Sequence, residues 1–328
     1  MHTQEQPEAK NRAPLAEHIR RLGIPALAIA FIFLSSSLLQ TILGALVSRF
    51  APHLTDAPWF AWAVSLIPMY AVAMPLSLLL FRTVPGQAPQ KASVSSAGFF
   101  GAVCLCFALV FAGNWIGSLV NLVIGALRGE PPVNQNAALA MSSPFWANLL
   151  FGGILAPVME EVFYRKAVLD RLRVYGDLPA LLISSLVFGL IHGNFYQFFY
   201  AALSGFVLGY LYLRTGKLRY PIGGHMAVNL VGSVYTAEML KRIDPNSAFA
   251  DPMGAFSADP VGALMLLGYE LLIPVTCIGA VIALWRVRGK VILARGEISM
   301  SAKDWRGAIL LNPGVWLLAF VILLLFLA

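Results

Sequence analysis

Nine apolar runs divide this sequence, and most are as long as the roughly 20 residues that a helix needs to cross a lipid bilayer. The runs cover residues 23–48, 58–81, 97–126, 145–172, 178–194, 196–213, 220–239, 262–285 and 308–327. The fifth and sixth runs are short and closely joined, which is typical of a helical hairpin. We therefore predict an all-α, polytopic transmembrane helix bundle with about eight or nine spans.

The composition agrees with a membrane protein and argues against a nucleic-acid-binding one. The 328 residues are 59% hydrophobic and only 12% charged, whereas soluble domains are about 25% charged. The net charge of +7 comes from basic residues that cluster in alternate loops between the apolar runs. Such clusters set topology and contact lipid headgroups, so we expect membrane lipids as partners and no nucleic acid. They predict a multi-pass protein of the cell (inner) membrane with a cytoplasmic N-terminus.

The same pattern predicts the organisation of the chain. We expect a polar cytoplasmic tail at 1–20, N-terminal transmembrane helices at 21–144, a catalytic transmembrane core at 145–239 and C-terminal transmembrane helices at 240–328. Gly205 and Gly209 lie four residues apart in the sixth run, a spacing typical of closely packed membrane helices.

The fourth run contains two adjacent carboxylates and an arginine: Glu160, Glu161 and Arg165. A charged group at bilayer depth costs roughly 2.5–3.5 kcal/mol on insertion scales, so these residues are expected to have a function. Glu161 and Arg165 are four residues apart, on one helix face, and are predicted to form a positioning ion pair. Glu160 points about 100° away and is the candidate general base.

Two later runs each contain one imidazole, His192 and His225, and Asn229 follows His225 by one helical turn. The other three histidines, His2, His18 and His53, lie in or beside the predicted tail or in a loop. Gly176 lies 16 residues after Glu160 and 16 before His192. A hairpin turning at Gly176 would place both residues at the same depth. The sequence therefore predicts an intramembrane polar cavity formed by several helices.

Two chemistries fit this set of residues. His225 and Asn229 could orient a water on Glu160, or donate hydrogen bonds to the oxyanion of a tetrahedral intermediate. Glu160, His192 and His225 could instead bind zinc, because two histidines and a glutamate with an open position form a known catalytic set. The sequence has no HExxH motif, so such a site would have to be assembled from three helices. No cofactor is required by the sequence, and zinc stays open.

Three motifs in order resemble those of the CPBP family of intramembrane peptidases. They are EExxxR at 160–165, FxxxH at 188–192 and HxxxN at 225–229, within a resemblance that covers about residues 145–235. The family includes the type II CAAX prenyl endopeptidases and the bacteriocin-processing and immunity (Abi) proteins. The chain matches the family pattern at every motif position.

The resemblance implies roles for these residues. Glu160 would activate a water that His192 places. His225 and Asn229 would help to place the water or stabilise the oxyanion, and Glu161 would pair with Arg165. Members of the family are described both as metalloproteases and as metal-independent glutamate enzymes.

We therefore expect an intramembrane endopeptidase acting on a membrane-associated peptide or protein. The alternative is a non-catalytic immunity or sensor protein that binds a peptide or lipid in the same cavity. A proton-coupled transporter ranks last, because the sequence shows no internal repeat.

Overall fold

Each predicted apolar run forms helix in the computed structural model, which describes residues 13–130 and 133–327. Within these ranges, no β-structure forms apart from one antiparallel bridge between Gly176 and Arg295. The all-α prediction is therefore confirmed. Pro131 and Pro132, most of the predicted tail, including His2, and the last residue lie outside the described residues.

The helices are α1 (Leu15–Phe50), α2 (Phe60–Thr83), α3 (Ser96–Arg128), α4 (Gln135–Ser142), α5 (Phe145–Tyr175), α6 (Asp177–Leu190), α7 (Phe195–Thr215), α8 (219–240), α9 (Pro245–Ala250), α10 (Pro252–Ala258), α11 (Pro260–Val287), α12 (Ala302–Leu310) and α13 (Pro313–Leu327). Helix α3 packs against both α7 and α11, and α1 packs against α12 and α13.

Five described helices are long and apolar enough to cross a membrane: α1, α2, α3, α5 and α11. Helices α12 and α13 pass the same test together, but they meet at an angle of 67°, so they form either a broken span or a re-entrant loop. Helix α6 is apolar but has only 14 residues. The protein is therefore a membrane helix bundle, while the count of eight or nine spans is not confirmed and stays a prediction.

Helix α1 begins earlier than the sequence pattern indicates. It starts at Leu15, so residues 15–20 belong to a helix rather than to the predicted tail. His18 is buried there, with its ring nitrogen Nδ1 3.2 Å from the hydroxyl of Tyr175. The buried residue of this segment is polar, and its partner Tyr175 lies 157 residues farther along the chain, so the composition of residues 1–20 gives no sign of the contact.

Several helix ends that carry basic residues meet at one end of the bundle. Arg20, near the start of α1, donates a hydrogen bond to the carbonyl of Thr83 at the end of α2 (2.6 Å). The amide of Ala92 donates to the carbonyl of Thr215 at the end of α7 (2.8 Å). The Gly176 turn also lies here, because Arg173 donates to the carbonyl of Gln87 (2.7 Å).

Gly176 forms the predicted turn between α5 and α6. Its φ of +109° favours glycine, and α6 returns along α5 with the hydroxyl of Ser184 donating to the carbonyl of Tyr164 (3.3 Å). A second turn at Gly193, with φ of +67°, joins α6 to α7. The hairpin predicted around residues 192–194 is therefore present.

An extended segment after α11, residues 288–301, lies across the Gly176 turn, and we call it the strap. The amide of Asp177 donates to the carbonyl of Ala294 (2.9 Å), and the amide of Ala294 donates to Oδ2 of Asp177 (2.9 Å). The amide of Ile298 donates to the carbonyl of Val174 (3.0 Å). The strap thus holds the Gly176 turn through backbone hydrogen bonds from a distant part of the chain.

Beyond the strap, the chain reaches the turn at Gly193, at the other end of α6. Gly314 of α13 packs so closely on α1 that a Cβ there would lie 2.7 Å from the carbonyl oxygen of Gly23. Farther along α13, Leu325 contacts Gly193, and the ring of Phe326 lies 4.9 Å from that of Phe195. Residues 288–327 therefore contact both turns that bound α6.

We expect Asp177→Ala to detach the strap and to lower the free energy of unfolding by about 2 kcal/mol. The carboxylate accepts hydrogen bonds from the Ala294 amide and from Arg173, and hydrogen bonds to charged groups contribute about 1.5–3 kcal/mol. Thermal unfolding in detergent, with limited proteolysis of residues 288–301, measures both effects. Asp251→Ala, which removes the cap of α10, is the control, and equal proteolysis in the two variants would contradict the prediction.

Candidate functional site

Glu160 and Glu161 lie in the middle of α5, between two stretches of π-helix at 148–155 and 162–169. Pro157 lies one turn before them and has no N–H to donate to the preceding turn, which explains a loosened helix on that side. Single π-turns inside α-helices occur often at functional sites. The wider turns alter which residues share a face, so this region does not follow the regular 3.6-residue period.

The structure brings Glu161 and Arg165 together as a bidentate ion pair. Nε of Arg165 donates to Oε2 of Glu161 (2.6 Å), and a terminal nitrogen donates to Oε1 (3.2 Å). Both side chains have an exposed fraction of 0%. Each charge is thus compensated by the other inside the bundle, and removal of either would leave an unpaired buried charge.

His225 of α8 contacts both carboxylates. Its Nδ1 lies 3.0 Å from Oε1 of Glu161, and its Nε2 lies 3.8 Å from Oε2 of Glu160. Because an ionised carboxylate can only accept, the proton of neutral His225 lies on Nδ1 and is donated to Glu161. Nε2 is then an acceptor that faces Glu160 across a gap too long for a direct hydrogen bond.

Glu160 has a second partner on a different helix. The hydroxyl of Tyr70, on α2, donates to Oε1 of Glu160 (2.9 Å). The other oxygen, Oε2, is the one that faces His225. The two oxygens of Glu160 therefore have different surroundings, and its side chain keeps an exposed fraction of 17%, while that of His225 keeps 10%.

His192 lies just after the end of α6, beside the ring of Phe188, which is the first residue of the same FxxxH motif. Its Nδ1 donates to the carbonyl of Phe188 (2.8 Å), which leaves Nε2 as an acceptor in the neutral ring. The ring of Phe188 makes edge contacts with His192 (5.1 Å between centroids) and with His225 (5.8 Å). Phe188 therefore holds both imidazoles at one position in the bundle.

Asn229 lies one turn beyond His225 and joins α8 to α5. Its amide nitrogen donates to the carbonyl of Gly152 (2.9 Å), which belongs to the first π-helical stretch. This contact fixes the side chain next to α5. A role for Asn229 at an oxyanion stays a prediction, and it would require the second N–H of the same amide.

Gly205 and Gly209 of α7 face the buried arginine. A Cβ at Gly209 would lie 2.5 Å from Cδ1 of Leu181 and 3.4 Å from a terminal nitrogen of Arg165, and one at Gly205 would lie 2.9 Å from Phe188. The predicted close packing is therefore confirmed. It brings α7 against α6 and leaves room for the guanidinium, which stacks over the Phe188 ring at 5.6 Å.

The residues suggested as zinc ligands do not form a ligand set. Within residues 13–130 and 133–327, no group of three or more His, Cys, Asp or Glu side chains is arranged so that it could hold a metal ion. Oε1 of Glu160 accepts a hydrogen bond from Tyr70, and Nδ1 of each histidine has another partner, so only Oε2 and the two Nε2 atoms remain as donors to a metal. The metalloprotease interpretation gains no support from this placement, and zinc stays a prediction.

Sequence reasoning did not identify Tyr70. It lies in an apolar run 90 residues before Glu160, and nothing in the local pattern connects the two. The available signal was a hydroxyl in the middle of a membrane helix, since a buried tyrosine hydroxyl usually finds a hydrogen-bond partner. By contrast, Glu270, another glutamate within an apolar run, is exposed on α11.

We expect Glu161→Gln to destabilise the fold by about 3–5 kcal/mol, because it leaves the guanidinium of Arg165 buried and uncompensated. Arg242→Ala is the matched control, since it breaks a solvent-exposed ion pair with Asp259, and exposed pairs contribute little to stability. Unfolding in lipid or detergent measures both. Similar losses in the two variants would contradict the prediction.

We also expect Gly209→Ala to destabilise the fold by about 1–3 kcal/mol, because the added methyl group would overlap Leu181 and crowd Arg165. Gly44→Ala in α1 is the control, since a Cβ there meets no atom within 4 Å. The same unfolding measurement applies. A loss at residue 44 as large as that at residue 209 would argue against the packing role.

Comparisons with known proteins identify the segment that contains the carboxylates and histidines. Residues 142–231 match the family model described as "Type II CAAX prenyl endopeptidase Rce1-like". All three motifs lie inside this range, and the match confirms the family resemblance that they indicated. No solved structure matches the chain.

Three curated proteins are similar to the chain. "Putative membrane peptidase YdiL" of Bacillus subtilis is 27% identical over 58% of the chain and 75% of its own length. "Membrane-embedded CAAX protease MroQ" of Staphylococcus aureus is 26% identical over 44% of the chain and 62% of its own length. Human "CAAX prenyl protease 2" is 26% identical over 48% of the chain and 56% of its own length. The chain thus spans less than two thirds of the last two relatives.

Proposed function

The chain belongs, through residues 142–231, to the Rce1-like family of type II CAAX prenyl endopeptidases, and on that premise we propose that it hydrolyses a peptide bond of a membrane-associated peptide or protein. Glu160 is the general base in this proposal. The observation that carries it is the 3.8 Å gap between Oε2 of Glu160 and Nε2 of His225. Two hydrogen-bond acceptors face each other there, inside the membrane bundle.

A water molecule satisfies both acceptors. With one hydrogen directed to Oε2 of Glu160 and the other to Nε2 of His225, its oxygen lone pairs point away from both and toward an incoming carbonyl. Glu160 takes one proton as the oxygen attacks the carbonyl carbon, and it later delivers that proton to the departing amine. Peptide and water are consumed together, and no other reactant is needed.

The remaining residues support this step. Glu161, held by Arg165, fixes the tautomer of His225 and so keeps its Nε2 an acceptor. His192 has its own Nε2 available as a further acceptor for the water. With Nε2 unprotonated, His225 orients the water rather than donating to an oxyanion, which leaves that role to the free N–H of Asn229.

The orientation in the membrane is also part of the proposal. The basic helix ends near Arg20, Arg82 and Arg173 share the end of the bundle where the Gly176 turn lies. The positive-inside rule favours a cytoplasmic location for that end, and hence for the start of α1, in a cell (inner) membrane. Substrates would then reach Glu160 from within or beside the bilayer.

We expect Glu160→Gln to abolish proteolysis while the fold survives, because the amide cannot take a proton from water. The first measurement compares protein N- and C-termini in membranes that contain equal amounts of wild type or variant. Termini that depend on the wild type would establish a peptidase and identify its substrate. Glu270→Gln, at an exposed membrane glutamate of α11, is the control and should retain wild-type cleavage.

Identical termini in wild type and Glu160→Gln would contradict hydrolysis. That result would favour the non-catalytic alternative, an immunity or sensor protein that binds a peptide or lipid in the same polar site. Function would then persist in the variant.

A further inference from the structure

We infer that Tyr70 is a positioning residue for the proposed hydrolysis. Its hydrogen bond to Oε1 of Glu160 leaves Oε2 as the atom that takes the proton. This inference rests on the proposed function but concerns a residue outside the family-matched segment 142–231. Tyr70 is contributed by α2, and the carboxylate by α5.

The argument starts from the two oxygens of a carboxylate, which are chemically equivalent until the protein distinguishes them. Here Tyr70 donates to Oε1 at 2.9 Å, whereas Oε2 faces Nε2 of His225 at 3.8 Å. A carboxylate rotated about its last bond would exchange the two oxygens. The hydrogen bond from Tyr70 opposes such rotation and keeps one lone-pair-bearing oxygen opposite the imidazole.

The position of Tyr70 is itself well fixed. Its side chain is buried, with an exposed fraction of 6%, and it belongs to the main apolar cluster together with residues of α1 and α5. It lies in a π-helical stretch, Pro68–Ala73, that packs on α1. The hydroxyl is therefore delivered by a rigid neighbouring helix, as precise positioning of a catalytic group requires.

A purely structural role for Tyr70 predicts a different result for the Tyr70→Phe variant. If Tyr70 only filled space, its ring would carry the effect, and Tyr70→Phe would behave as wild type. If the hydroxyl positions the base, the same variant keeps the packing but loses a hydrogen bond to a charged group. Such bonds correspond to about a 10- to 100-fold effect on a rate.

The kinetic test uses full-length protein in liposomes. The probe is a quenched fluorescent peptide that spans a cleavage site mapped in the membrane comparison above. We expect Tyr70→Phe to lower kcat about 10- to 100-fold with little change in KM, because the hydrogen bond acts on the base rather than on substrate binding. Wild-type kcat, or a change confined to KM, would overturn the inference.

Tyr164→Phe is the matched control. Tyr164 is buried one turn beyond Glu160 on α5, and its ring packs against Phe163 and Phe188. Removal of its hydroxyl should leave kcat unchanged. An equal loss of kcat in both variants would indicate that any hydroxyl removed near Glu160 has the same effect, and it would overturn a specific role for Tyr70.

A spectroscopic test requires no substrate. The carboxylate band of Glu160 can be isolated as the infrared difference between wild type and Glu160→Gln, with 13C-labelled glutamate for assignment. Tyr70→Phe should shift this band, and Tyr164→Phe should not; an unshifted band in Tyr70→Phe would overturn the inference.

If wild type cleaves nothing, the proposed function fails. If wild type cleaves and Glu160→Gln does not, an unaffected Tyr70→Phe rejects only the role of Tyr70.

Discussion

The buried ion pair between Glu161 and Arg165 is the constraint on which the rest of the site depends. A fully buried guanidinium requires a carboxylate, and that carboxylate in turn accepts the proton of His225. The proton on Nδ1 determines that Nε2 faces Glu160 as an acceptor. The pair also determines the neighbouring packing, since Gly209 on α7 must remain small to accommodate it. One electrostatic requirement thus specifies a tautomer, a helix contact and the environment of the candidate base.

Local spacing was enough to predict much of this arrangement. The apolar runs predicted the helices, Gly176 predicted the turn, and the four-residue separation of Glu161 and Arg165 predicted their pairing, because each depends on near neighbours in the sequence. The contacts of Tyr70 and of residues 288–301 were not predictable, since they join segments about 90 or more residues apart. The start of α1 was missed for a related reason, as its first turns contact distant residues, His18 with Tyr175 and the carbonyl of Ile19 with Asn312.

The family-matched segment is not a self-contained site. It supplies both glutamates, Arg165, both histidines and Asn229, but the hydroxyl on Glu160 comes from α2, and the two turns around α6 are contacted by residues that follow α11. The candidate catalytic side chains therefore lie in about one quarter of the chain, while their alignment depends on helices on both sides. Relatives that share only the central segment can share the carboxylate and imidazole pattern and still orient Glu160 differently.

The strap has a consequence for the order of events during synthesis. Residues 288–301 leave the ribosome after every residue of the hairpin that they hold, and α13 follows later still. The nascent chain can therefore insert α5, α6 and α7 while the Gly176 turn still lacks its backbone partners and the Gly193 turn lacks Leu325. The hairpin that carries the candidate base is thus closed only after all of the large described membrane helices have been made, so the site is completed late in synthesis.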